Sequence, residues 1–192
     1  MFRIAPALVL ALSACQTTTR SAPPPKAAWE APLAAGTPIS IKASTETTEA
    51  LVFDFPKHRL VGLSGKTNTW LRWLDERAPK ASIESLPNVG AEGAVAVGLK
   101  VGDGIEVVCT LDPAKERTIL PPSIFDSKLL EGVPPSGPLN GVSLGFGQSQ
   151  LGSYSVSLEA GVCTIGADVL SKVVVLLAVH GRQPLLFLVE HE

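Results

Sequence analysis

The chain has 192 residues, 45% of them hydrophobic and 18% charged, which suits one domain of ordinary size with a buried core. Its 16 Lys plus Arg against 18 Asp plus Glu, for a formal charge of −2, leave no basic patch and argue against nucleic acid as a partner. Seventeen Gly and 16 Pro favour many short elements joined by tight turns over long helices.

Residues 1–15 read MFRIAPALVLALSAC, with Arg3 as a single positive charge ahead of an apolar run from Ile4 to Leu12. That run is too short to cross a bilayer, which takes about 20 residues in helical form, so it reads as a signal peptide. Leu12-Ser13-Ala14-Cys15 resembles the lipobox of bacterial lipoproteins. There, small residues let an extended backbone enter the signal peptidase, and the Cys sulfur carries the lipid. Pro6 interrupts the run, a departure from the usual pattern. The resemblance covers these 15 residues alone. It implies cleavage after Ala14, a mature terminus at a lipidated Cys15, and a cell-envelope address. Gln16 stands where such proteins held at the inner membrane carry Asp, so the resemblance further implies the outer membrane, facing the periplasm.

Residues 15–38 form the next expected segment, a tether rich in Thr, Ala and Pro that includes Pro23-Pro24-Pro25. Such a stretch buries too little apolar surface to fold alone and extends about 3 Å per residue where polyproline-like. Trp29 is the exception within it, able to dock on the domain or to rest at a bilayer interface.

Residues 39–192 are expected to be one mainly β domain. Ile39–Lys42, Ala50–Phe55 and His58–Leu63 read as strands, the last two around a turn at Pro56-Lys57. The period then changes. Trp70, Trp73, Leu74 and Arg77 recur at helical spacing behind the capping run Thr67-Asn68-Thr69, and Pro79 ends the helix. Ala94–Lys100 and Ile105–Leu111 flank Val101-Gly102-Asp103-Gly104, a hairpin signal. Residues 112–141 are a Pro- and Gly-rich connection, with a turn of helix around Ser123–Leu130. Val142–Phe146 and Tyr154–Leu158 form a second hairpin, the latter with a serine face, and Val162–Ile165 is a further short strand. Val173–Val179 and Leu185–Val189 flank a turn at 180–184. Neither alternates, so both belong at the centre of the sheet, covered on both faces. The expected class is an antiparallel β-sandwich or open barrel with one or two short helices. A two-layer α+β sheet is the alternative.

With Cys15 taken by lipid, Cys109 and Cys163 are the remaining thiols of an exported chain, and a disulfide between them is expected. Neither has a His or second Cys at ligand spacing, so no metal is expected.

Several motifs carry less than they suggest. Ser64-Gly65-Lys66-Thr67 has the end of a phosphate-binding loop, but Leu60 stands where its first Gly is required. Gly62-Leu63-Ser64-Gly65 lacks the second Gly of a nucleophile elbow, where Lys66 stands. His58, His180 and His191 have no partner implied by spacing. Asp54, Asp75, Glu76, Asp103, Asp112, Asp126 and Asp168 offer carboxylates, yet nothing in their spacing selects two for glycan cleavage. Trp70 and Trp73 share one helical face, which either packs in the core or anchors a partner. The sequence thus points to a lipid-anchored envelope protein that binds or scaffolds another envelope protein or a glycan, with no cofactor and no nucleotide. An envelope hydrolase and a carrier of a small apolar ligand or lipid are the alternatives.

Overall fold

A computed structural model describes residues 27–40, 42, 44–65, 67–77, 81–90, 94–125, 136–179 and 185–190. The mainly β class stands, built as a six-stranded antiparallel sheet beside a six-stranded closed barrel. In the sheet, β1 (Ala27–Pro32), β3 (Arg59–Leu63), β2 (Ala50–Asp54), β11 (Val173–Ala178), β12 (Leu185–Glu190) and β4 (Ala81–Leu86) lie in that spatial order. The barrel runs β10 (Thr164–Ile165), β6 (Ile105–Leu111), β5 (Ala96–Val101), β8 (Gly137–Phe146), β9 (Ser149–Leu158) and β7 (Ile119–Leu120). Two of its pairings are parallel, β10 with β6 and β7 with β9.

The sheet is the middle layer. Because successive strand residues point to opposite faces, each central strand feeds two cores. Leu51 and Phe53 of β2 and Val173, Val175 and Leu177 of β11 pack toward the barrel interior. Ala50, Val52, Val174, Leu176 and Ala178 face the other way, with Trp70, Trp73 and Leu74 of α1 (Thr67–Arg77) above them. This is why the run from Val173 does not alternate: all six residues of β11 are buried. The expected central position of that strand holds, with β2 on one side and β12 on the other.

Residues 27–38 correct the expected boundary at 39. They are not tether: Ala27–Pro32 is an edge strand paired antiparallel with β3. The apolar surface that this segment lacked comes from outside it. Trp29 packs on the first core, and its indole N–H donates to Thr48 Oγ1 at 3.1 Å. Leu33 and Ile39 are buried too, but no strand forms over 39–42 among the described residues. β4, β7 and a second helix, α2 (Ala167–Leu170), also lie outside the expected elements.

Cys109 of β6 and Cys163, just before β10, form the expected disulfide, with Cα atoms 4.5 Å apart. It pins β10 in parallel register beside β6, Thr164 against Thr110. The β8–β9 turn is tighter than expected: Phe146 pairs with Ser149, leaving Gly147 and Gln148 at the tip. Of the expected helix around Ser123–Leu130, a single 3-10 turn forms at Pro122–Ile124. Residues 126–130 lie outside the described residues.

Candidate functional site

The two indoles do not form an exposed docking face. Trp70 is 5% and Trp73 1% exposed, both inside the second core. The helical stripe therefore covers the sheet, and the partner-binding role considered for this pair has no surface here. No helix among the described residues is long and apolar enough to cross a membrane.

The residues considered for hydrolysis are scattered. His58 sits in the β2–β3 turn at φ 50° and Ser64 just past the far end of β3, roughly 15–20 Å away along an extended strand. His58 instead lines a shallow groove of 330 Å3 with Glu30 and Arg59. Gly65, at φ 97°, turns the chain toward α1. Lys66, Asp126, His180 and His191 lie outside the described residues.

Most of the carboxylates serve local structure. Asp54, 4% exposed, accepts two hydrogen bonds from the Arg59 guanidinium, at 3.0 and 2.6 Å, and one from Lys57 N–H at 3.2 Å. Asp168 Oδ1 accepts from the buried Thr118 hydroxyl at 2.8 Å and from Val169 N–H at 2.9 Å. Thr118 Oγ1 in turn accepts from Gly166 N–H at 3.1 Å, tying the β6–β7 connection to α2. Tyr154 lies close by, with Lys172 Nζ 4.9 Å from its ring centre. Burial pushes the Tyr154 hydroxyl above the ordinary phenol range, and the nearby Asp168 charge adds to that. Asp112 accepts from Ala114 N–H at 3.0 Å, Glu76 meets Arg72 at 3.4 Å, and Asp75 is exposed on α1. No group of three His, Cys, Asp or Glu able to hold a metal occurs among the described residues.

Two larger concavities adjoin one another at the mouth of the barrel. A cleft of 560 Å3 opens between the β5–β6 turn and the first half of β8. Val101 and Val142 are buried in its floor, while Phe125, Leu139 and Ile105 form its walls. Ile105 is 38% exposed, one of five large apolar side chains exposed among the described residues. On the other side of the same turn lies a groove of 380 Å3 with polar walls that include Lys100, Gln148 and Gln150. Gly102, Asp103, Gly104 and Ser143 line both. Gly102 N–H donates to Ser143 O at 2.9 Å, closing the seam between the two concavities. Gly102 at φ 59° and Gly104 at φ 128° hold a turn that side chains disfavour.

The sequence flagged this turn as a hairpin signal but not as a site. Ile105 and Leu139 read as ordinary strand and linker residues there. Their convergence depends on β5 pairing with β8 through Lys100–Gly145 and Val101–Leu144.

No family model matches the chain, and no curated protein matches it. Among solved structures, it is similar to the crystal structure of a retropepsin-like aspartic protease from Rickettsia conorii. The two share 12% identity over 58% of this chain and 96% of that one, with a TM-score of 0.38. A likeness of that size carries no argument about fold or chemistry.

Proposed function

We propose that this chain is a membrane-anchored envelope lipoprotein acting as a non-enzymatic binding module, with its ligand site in the apolar cleft at the barrel mouth. The cleft is the observation that carries the binding reading: 560 Å3 bounded by Val101, Ile105, Phe125, Leu139 and Val142. That volume lies in the usual range for small-molecule sites, about 300–1,000 Å3. It favours a small apolar ligand, or the apolar part of one, over a large flat protein interface. The anchor rests on the lipobox-like Leu12–Cys15, and with it the outer-membrane address and the membrane as a constant neighbour.

The binding reading is tested with the full chain carrying Cys15→Ser, in detergent-free buffer, titrated with a neutral naphthylamine dye. Saturable binding is expected, and Leu139→Asp and Ile105→Asp each abolish it while the far-ultraviolet circular dichroism is retained. Equal dye binding in all three chains overturns it. Fatty-acid labelling in cells tests the anchor: Cys15→Ser removes the label, and a label that persists places the processing site elsewhere.

A further inference from the structure

We propose that the ligand is a single-chain amphiphile with a zwitterionic head, of the lysophospholipid type. The proposal rests on the cleft reading above and adds the chemistry of the head. Apolar cleft and polar groove are not separate sites. They share Gly102, Asp103, Gly104 and Ser143, so a molecule lying across the β5–β6 turn meets an apolar compartment on one side and a polar one on the other. An acyl chain matches the first compartment, whose floor of Val101 and Val142 offers no hydrogen-bonding side chain.

The head is read from the charges. Lys100 and Asp103 both line the polar groove, three residues apart along one hairpin. Neither makes an ion pair within 4.0 Å among the described residues: the salt bridges there are those of Arg59 with Glu30 and Asp54, and of Arg72 with Glu76. A purely anionic head would be drawn to Lys100 but repelled by Asp103 and by Glu84, whose carboxylate lies against Gly147 and Ser149 of the same groove, while a purely cationic one would be repelled by Lys100. A phosphate with a tethered ammonium satisfies both, while Gln148, Gln150 and Ser143 supply neutral hydrogen-bonding groups around it. The exposed Ile105 then sits at the boundary, against the first carbons of the chain.

The test is equilibrium dialysis of the full chain carrying Cys15→Ser against radiolabelled ligands below their micelle concentrations. The ligands are lysophosphatidylethanolamine, lysophosphatidylglycerol and a free fatty acid of the same chain length. The zwitterionic ligand should bind tightest, and removing two methylenes should weaken it about tenfold. Lys100→Gln should weaken both phospholipids about tenfold. Asp103→Asn should weaken the zwitterionic ligand but strengthen the glycerol one, a crossing that a general loss of fold cannot produce. Equal affinities for all three ligands, unmoved by either variant, overturn the proposal while leaving the apolar cleft reading intact. Failure of both these ligands and the neutral dye to bind overturns both.

Discussion

Trp29 of the edge strand β1 stands opposite Gly62 of β3, and its indole fills the space that any side chain at 62 would need. A methyl group there would overlap Trp29 Nε1. The glycine is thus a seat for the indole, and the indole is what recruits the N-terminal segment to the sheet. Gly62→Ala is expected to cost about 1–3 kcal/mol, the usual range for overpacking. Urea unfolding measures it. The same substitution in a Trp29→Ala background should cost much less, because the clash is gone. Equal costs in both backgrounds would show that the contact does not hold β1.

The disulfide closes a loop of 54 residues, worth about 4 kcal/mol in the chain-entropy model. Reduction of the native chain, or Cys109→Ser with Cys163→Ser, should lower the midpoint of denaturant unfolding by a matching amount. Thiol titration of the denatured, unreduced chain should find both sulfurs blocked. Two titratable thiols would refute the pairing.

Trp73 is 1% exposed and sits between α1 and the sheet face formed by Val52, Val61 and Leu176. Trp73→Ala should therefore cost about 3–5 kcal/mol, read in thermal or urea unfolding. Dye binding at the barrel mouth should be unchanged wherever the variant remains folded. A loss of binding at unchanged stability would return this residue to the list of contact residues.

Tyr154 is the sole tyrosine in the chain, so its titration can be followed without ambiguity in the ultraviolet. Burial first, and the Asp168 charge second, raise its pKa above the ordinary value, about 10. The folded state therefore favours the neutral phenol. The associated stability is complete below the unfolded pKa and is lost as pH rises through the folded one. Unfolding free energy should fall in that alkaline window. Asp168→Asn should move the phenol back toward its ordinary value. An unshifted phenol in the native chain would contradict the burial.

Asp54 and Arg59 form a two-point contact at the β2–β3 turn, with the carboxylate buried and the guanidinium partly exposed. Asp54→Asn should cost about 1–3 kcal/mol, since it removes a charged acceptor yet leaves a guanidinium that water can reach. Arg59→Lys should recover part of the contact only, because an ammonium cannot make the fork. Stability of Asp54→Asn equal to the parent chain would show that the turn does not depend on the pair.

Much of the architecture was legible from local pattern. The period change at Trp70 marked α1, the Asp103-Gly104 turn marked the β5–β6 hairpin, and the unbroken run from Val173 marked a strand covered on both faces. Those features are written in neighbouring residues, and so survive reading one segment at a time. The elements that were missed share a cause. Ala27–Pro32 is alanine-rich, carries one large apolar side chain and ends in proline, and it becomes a strand because β3 offers it an edge and Gly62 offers Trp29 a seat. Ile119–Leu120 is only two residues long and exists as a strand through its neighbours β9 and β10.

The sequence by itself determined the β character, the single amphipathic helix, the pair of thiols available to each other and the lipobox-like start, because each depends on residue type at short spacing. Tertiary structure alone decided that the helix turns both indoles inward, that Ala27–Pro32 joins the sheet, and that a cation, a carboxylate and five apolar side chains meet at one barrel mouth. The physical reason is that burial and concavity belong to pairs of segments distant in the chain. Val101 and Leu139 line one cleft only once β5 and β8 are hydrogen-bonded, and nothing within either segment specifies the other.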